Sequence, residues 1–176
     1  MNPLVSDSQA TTDKTFIERW IANPRALIAY SLLLGAVAGT AIWGKYLLSG
    51  GSFTMWFLLS AVAYYTFAGY AGVRLLRRLP SADLWAMAAL IPQVVQFQAG
   101  GAIYRIVCGL HVTLTIGGGR INFGFGALTS VQVGIVQGSL PTMVAVNFVP
   151  ILLVSYLWHQ LEEPPNKRLK LTARAH

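Results

Sequence analysis

The stretch ALIAYSLLLGAVAGTAIW, residues 26–43, decides the fold that the sequence predicts. It carries no charge, and a helix that continues to residue 48 at about 1.5 Å per residue is long enough for a hydrocarbon core of about 30 Å. A second apolar run covers residues 53–76, after the short loop SGGS at residues 49–52. So short a loop allows only an antiparallel hairpin, so the sequence predicts two adjacent membrane-crossing helices.

Tryptophan placement favours the same environment. Indole has an apolar body and one N–H donor, and it is therefore enriched at the two surfaces of a bilayer. Hydrophobic residues make up 55% of the chain and charged residues 11%, against about 25% charged in an ordinary soluble domain. These features predict an integral membrane protein. The tryptophans lie at or near the edges of apolar stretches and are Trp20, Trp43, Trp56, Trp85 and Trp158.

The remaining apolar sequence divides into two further helices and a strand-rich insert. Residues 84–101 predict a third helix, kinked at Pro92, and residues 141–161 a fourth. Between them, residues 111–116, 121–126 and 130–135 alternate apolar with polar or small residues, as half-buried strands do. The expected fold is a mainly α membrane protein with four transmembrane helices and a small antiparallel β insert, residues 102–137, between helices 3 and 4.

The domain organisation follows from these boundaries. Residues 1–25 predict a polar tail with an interfacial turn at residues 16–23, residues 26–161 a single membrane domain, and residues 162–176 a basic disordered tail. With four crossings, ten of the 13 Lys and Arg residues fall on the side of the N-terminus, and only Lys45, Arg105 and Arg120 fall on the other. Cytoplasmic loops carry the excess of such charges, which favours a multi-pass inner-membrane protein with both termini in the cytoplasm.

Small residues recur at helical spacing in the first two helices. They are Ser31, Gly35 and Gly39 in the first helix and Ala68 and Gly72 in the second. Missing side chains on one helix face let another helix approach closely, so these residues are candidates for helix packing. The alternative is that small residues are simply common in membrane helices.

Polar side chains interrupt the second half of the chain and form the candidate ligand-binding group. We group Arg105 with Gln93, Gln96, Gln98 and Asn147 as a polar lining where Pro92 and Pro150 open two helices. Such a lining could hold a small polar or anionic solute. The alternative interpretation is that Arg105 and Arg120 reach phosphate headgroups at the membrane surface.

Enzymatic chemistry has little support. Apart from Asp83, no carboxylate lies between Glu18 and Glu162, which excludes paired-carboxylate mechanisms inside the membrane. The spacing of His159, Glu162 and Glu163 suits a metal but is more typical of a solvated helix end. We expect His111 and Cys108 to be structural, and neither a metal nor a cofactor is predicted. The basic residues flank apolar runs and form no stripe with interleaved aromatic residues, so we expect no nucleic-acid partner.

The sequence therefore favours a non-enzymatic interaction or assembly component of the membrane. Its expected partners are the lipid bilayer and either further copies of the chain or another membrane protein. The β insert would be the exposed recognition element. The alternative is one subunit of an oligomeric transporter or channel for a small polar or anionic solute, built around Arg105 and the amide side chains.

Overall fold

The structure combines helices with one antiparallel sheet. The computed structural model describes residues 23–49, 55–135 and 140–162 of the 176-residue chain. Within these ranges the helices are α1 (Pro24–Leu48), α2 (Met55–Leu76), α3 (Ala82–Leu90) and α4 (Phe148–Glu162). The strands are β1 (Val95–Ala99), β2 (Ala102–Gly117), β3 (Arg120–Ile135) and β4 (Met143–Asn147). A single 3-10 turn, Ile91–Gln93, leads from α3 into β1.

Helices α1 and α2 form an antiparallel pair that depends on glycine. A Cβ atom at Gly72 would lie 2.9 Å from Cγ of Leu33 and 3.0 Å from the carbonyl oxygen of Ala29, and one at Gly39 would overlap the ring of Tyr65. Along α1, early residues thus meet a late residue of α2, and the later Gly39 meets the middle of α2, which makes the pair antiparallel. Because a side chain at either glycine would push the helices apart, these positions set how closely the two backbones approach.

A long hairpin forms the framework of the sheet. Strands β2 and β3 each have 16 residues and pair without interruption from Ala102 opposite Ile135 to Gly117 opposite Arg120. The turn between them consists of Gly118 and Gly119, whose φ angles are 56° and 73°. Two consecutive positive φ angles are what a two-residue hairpin turn requires, and glycine adopts them without steric cost.

The hairpin is bent, and its two halves enclose the short strands. On its inner edge, β2 pairs with β1 near its beginning and with β4 near its end, and β1 also pairs with β4. All of these pairings are antiparallel, so the two halves of β2 run in opposite directions on either side of β1 and β4. Gly109 lies at the bend with φ of 93°, a conformation that side chains of L residues rarely adopt.

One face of the sheet packs against α1 and α2. Successive strand residues point to opposite faces, and here the alternate residues Ile106 and Cys108 of β2, with Val131 of β3, are buried in the common core. The contact is close, because a Cβ at Gly35 would overlap Sγ of Cys108. The hydroxyl of Thr129 also donates a hydrogen bond to the carbonyl oxygen of Gly35 at 3.1 Å. Glycine residues in α1 thus allow both the sheet and α2 to approach this helix closely.

The predicted fold class, four transmembrane helices with a small β insert, is wrong. Among the described residues only α1 and α2 are long and apolar enough to cross a membrane. Helices α3 and α4 have 9 and 15 residues, or about 14 and 22 Å at 1.5 Å per residue. Neither reaches across a hydrocarbon core of about 30 Å. The observed fold is mixed, with a four-stranded antiparallel sheet in the order β1-β4-β2-β3.

The difference arises because both of the expected later helices contain a strand. In residues 84–101 the helix ends at Leu90, just before Pro92, and apolar Val95 and Phe97 then alternate with Gln96 and Gln98. In residues 141–161 strand β4 precedes the helix. The insert itself, expected as three or four short strands in residues 102–137, consists of the two long strands β2 and β3. Residues 1–22 of the expected tail and interfacial turn (residues 1–25) and residues 163–176 of the expected basic tail (residues 162–176) lie outside the described residues.

Candidate functional site

A small polar pocket lies on the sheet face opposite the one that packs against α1 and α2. Its lining includes Gln96 and Gln98 of β1, Arg105 and Thr115 of β2, and Ala145 of β4, and its volume is about 30 Å³. The three residues Gln96, Gln98 and Arg105, grouped from sequence alone, are therefore brought together. We call this cavity the Arg105 pocket.

Strand pairing explains why these side chains meet. Gln96 lies opposite Ala145, and Ala145 lies opposite Thr115 on its other side. The small methyl side chain of Ala145 thus forms a depression between a longer amide and a hydroxyl. Arg105 follows Tyr104, which pairs with Phe97, so its side chain emerges beside Gln96. The bend of β2 is essential here, because Arg105 and Thr115 belong to its two different halves.

Gln93 and Asn147, the other two residues of the predicted lining, lie elsewhere. Both are buried, at 1% and 0% exposure, and both supply hydrogen bonds to the bend of β2. Oε1 of Gln93 accepts from the backbone N–H of Cys108 at 2.9 Å, and Oδ1 of Asn147 accepts from that of Val112 at 3.2 Å. They occupy the part of the inner edge of β2 that neither β1 nor β4 pairs with. Their amides satisfy backbone groups that would otherwise be buried without a partner.

The electrostatics of the Arg105 pocket are those of an uncompensated cation. Arg105 is exposed, and none of the described residues that line the cavity is acidic. The acidic residues in the described part of the chain are engaged elsewhere: Asp83 accepts from Arg25 at 2.7 Å, and Glu162 accepts from Nε1 of Trp158 at 2.7 Å. Gln96 is 6% exposed, and its Nε2 is buried without a partner in the described structure. The pocket therefore offers donors and a positive charge.

Other groups beside the Arg105 pocket are already committed. The hydroxyl of Tyr104 donates to the carbonyl oxygen of Pro92 at 2.9 Å, and burial raises the pKa of this phenol. Nε2 of Gln98 donates to the carbonyl oxygen of Pro141 at 3.3 Å. The described lining residues thus include no activated nucleophile and no general base, and what their arrangement supports is binding.

The residues proposed from sequence for helix packing all lie at contacts within this chain. Gly39 and Gly72 lie between α1 and α2, and Ala68 of α2 is fully buried. Gly35 faces Cys108, and Oγ of Ser31 lies 2.5 Å from where a Cβ of Gly109 would be. These small-residue faces are therefore occupied by the chain's own helices and sheet, which leaves other surfaces to contact a partner.

The described residues leave an apolar surface uncovered on the half of the sheet that α1 and α2 do not reach. Its most exposed members lie at the far end of the hairpin: Ile121 at 67%, Phe123 at 79% and Phe125 at 82%. They lie on the same sheet face as Val131, because odd-numbered positions of β3 share one face. We call Ile121, Phe123 and Phe125 the β3 apolar patch.

The remaining candidate residues have structural surroundings. His111 lies opposite Gly126 in the β2–β3 ladder, with a buried Nδ1 that has no partner among the described residues. Cys108 is buried, and burial raises the pKa of its thiol to about 12. No group of three potential metal ligands is found in residues 23–49, 55–135 and 140–162. Glu163, which shares the helical spacing of His159 and Glu162, lies outside these ranges.

Sequence reasoning missed Thr115 and Ala145 as lining residues. The alternation of threonine with apolar residues in residues 111–116 already placed Thr115 on the polar face of a strand. Residues 143–147 alternate as well, with Val144 and Val146 on one face and Ala145 on the other. A strand assignment there would have found the depression.

Comparison with known proteins gave no matching family model, no similar curated protein and no similar solved structure.

Proposed function

We propose that the chain is an integral membrane protein that crosses the bilayer with α1 and α2 and serves as a non-enzymatic assembly component. The observation that carries this proposal is the exposure of these two apolar helices. Only 33% of the most apolar 18-residue window of each helix is buried. The core helix of a water-soluble protein would be mostly buried, whereas Leu34 and Val37 of α1 are both 67% exposed. Lipid contact removes the unfavourable hydration of these side chains.

The ends of the helix pair support a transmembrane position. Trp43 lies near the end of α1 and Trp56 near the beginning of α2, which is the same end of an antiparallel pair. At the other end, Trp85 packs against Tyr70 with 5.3 Å between ring centroids. The guanidinium of Arg74 lies over the same two rings, 5.4 Å from that of Tyr70 and 5.7 Å from that of Trp85. Aromatic residues at both ends, with arginine beside them, are typical of helices anchored at two interfaces.

The orientation follows from charge. The end with Trp85 also carries Arg25, Arg77 and Arg78, whereas Lys45 is the basic residue near the other end of α1. By the positive-inside rule we expect the arginine-rich end to face the cytoplasm, in the cell (inner) membrane. Two spans return the chain to the side where it started, so this orientation agrees with two cytoplasmic termini.

The assembly role is assigned to the sheet. Strand β3 is an edge strand, and within the described residues it pairs only with β2. Its outer edge presents backbone donors and acceptors along 16 residues, next to the β3 apolar patch. Beside a membrane helix such groups lack water, and an edge that remains unpaired is costly there. A second strand added to this edge satisfies them, as in β-augmentation.

A second copy of the chain is the partner that fits this edge. Two β3 strands paired antiparallel place their Arg120 residues at opposite ends of the new ladder, so the like charges stay far apart. Gly124 and Gly126 leave this half of the strand few bulky side chains on its other face, whereas Gly134 lies against the ring of Phe57 in α2. The pairing also brings the two β3 apolar patches onto one continuous sheet face, where they are covered together.

A transporter or channel subunit is the second candidate function, and the Arg105 pocket favours it. A cavity of about 30 Å³ has room for one or two water-sized groups, which is a binding position but no continuous path. The transport function would therefore require several copies to form a path between them.

Membrane insertion is tested on the full-length protein in its host membranes. We expect the protein to resist extraction by alkaline carbonate and to require detergent. Ser49→Cys and Arg78→Cys, each combined with Cys108→Ala so that the protein carries a single cysteine, are labelled in sealed vesicles of known orientation and should react from opposite sides. Recovery in the soluble fraction, or labelling of both positions from one side, contradicts the two-span proposal.

Assembly is tested with charges placed on alternate residues of β3. Phe123→Lys and Phe125→Lys put a cation into the β3 apolar patch, whereas Asn122→Lys puts the same cation on the opposite face of the same strand. We expect the first two to convert a crosslinkable dimer in native membranes to monomer, and the control to leave the dimer intact. A wild-type protein that is monomeric in membranes contradicts the assembly role and leaves the insertion test unaffected.

A further inference from the structure

We propose that the Arg105 pocket binds one small inorganic anion of the size of chloride. This inference goes beyond the assembly role and does not depend on it. It rests on the buried amide of Gln96, the free charge of Arg105 and the size of the cavity above Ala145.

The side-chain amide of Gln96 supplies a hydrogen-bond donor that has no partner among the described residues. The side chain of Gln96 is 94% buried, since its exposure is 6%, and its Nε2 reaches neither solvent nor a partner in the described structure. Buried polar groups are nearly always hydrogen-bonded, and leaving one unpaired is unfavourable. An acceptor in the adjoining cavity supplies the missing partner. Gln98, by comparison, already uses its Nε2 on Pro141.

The second step is the sign of the charge. A water molecule would satisfy the amide, but the cavity is also lined by the positively charged guanidinium of Arg105. The carboxylates of the described residues are occupied by Arg25 and Trp158, as noted above, and none lines the cavity. Anions accept charge-assisted hydrogen bonds, which are stronger than neutral ones. Arg105 therefore favours an anion over water.

The third step is size and shape. A volume of about 30 Å³ has room for one compact ion. The depression exists because the side chain of Ala145 is only a methyl group. The hydroxyl of Thr115 borders its other side. The expected donors to the ion are the guanidinium of Arg105, Nε2 of Gln96 and the hydroxyl of Thr115.

The test measures chloride binding to the purified full-length protein in detergent, in gluconate buffer of constant ionic strength. Chloride-35 line broadening and the thermal unfolding midpoint are recorded as chloride replaces gluconate. We expect both signals to saturate. Arg105→Gln should raise the chloride dissociation constant by about tenfold or more, as the loss of one charge-assisted contact predicts. Thr115→Val should raise it less.

Three controls make the result decisive. Ala145→Val fills the depression without removing a donor and should abolish saturation, whereas Arg120→Gln removes a cation outside the pocket and should change nothing. Circular dichroism in gluconate verifies that each variant is folded. Because Arg105 is exposed, we expect Arg105→Gln to fold, so the test can still be made if Ala145→Val does not fold. Unsaturable signals in the wild type, or equal loss in Arg105→Gln and Arg120→Gln, overturn the proposal. Stronger competition by formate or phosphate than by chloride overturns the assignment to a halide-sized ion.

Discussion

Replacement of Gln93 by leucine tests whether the bend of β2 depends on a buried amide. The side chain is 1% exposed, accepts from the backbone N–H of Cys108 at 2.9 Å and donates to the carbonyl oxygen of Ala89 at 3.1 Å. Leucine keeps most of the volume but leaves the Cys108 N–H buried without an acceptor. Ala89 is less affected, because its oxygen also accepts from the hydroxyl of Tyr64 at 2.8 Å.

The expected loss is therefore that of one orphaned donor, about 1–3 kcal/mol in the free energy of unfolding. In a chain of this size the thermal unfolding midpoint falls by about 2–4 °C for each kcal/mol of stability lost. We therefore expect the midpoint to fall by roughly 2–12 °C. Thermal unfolding in detergent, followed by circular dichroism, measures it. Gln132→Leu is the matched control, because Gln132 is exposed on β3, and it should change the free energy by less than about 0.5 kcal/mol. Equal effects of the two substitutions would refute the assigned role of Gln93.

Further predictions concern the contacts between α1, α2 and the sheet. Gly72→Ala should destabilise the protein by about 1–3 kcal/mol because its Cβ meets Leu33 and Ala29, whereas Gly44→Ala, with nothing within 4 Å, should stabilise α1 by up to about 1 kcal/mol. Thr129→Val removes the hydrogen bond to Gly35 and should cost about 1 kcal/mol, while the same change at exposed Thr142 should be neutral in the same unfolding assay. The Cys108 thiol should react with maleimide at pH 8 only after unfolding. Because its pKa rises to about 12 in the folded state from an ordinary value of 9.0, its contribution to stability is complete below pH 9 and is lost as the pH rises from 9 towards 12. Unfolding at pH 8 and pH 10, compared with Cys108→Ala, measures this loss, and an equal change in both proteins would count against it.

The two long helices could be predicted from sequence because their signal is continuous. An apolar run of about 20 residues has few structural alternatives, and the predicted bounds 26–48 and 53–76 lie within two residues of Pro24–Leu48 and Met55–Leu76. The β2–β3 turn at Gly118 could also be predicted from sequence, since three consecutive glycines separate two runs in which apolar and polar residues alternate.

The short strands β1 and β4 could not be separated from helices in the same way. Each has five residues in an apolar context, where helical and extended conformations both bury side chains, and pairing with distant strands decides between them. The roles of Gln93 and Asn147 were hidden for a related reason. They serve the bend of β2, and the only local sign of that bend is Gly109, one glycine among the 17 in the chain.

The seating of β1 and β4 between the halves of β2 has a consequence for biosynthesis. As the polypeptide leaves the ribosome, β1 appears early, but the strand that covers its outer side appears only after the whole hairpin has been made. Until residue 147 emerges, both β1 and the far half of β2 present bare edges to any neighbouring nascent chain. If translation is slow, or if the unfinished chain is released before that point, we therefore expect chaperone binding and aggregation to increase, even though those edges are paired in the completed molecule.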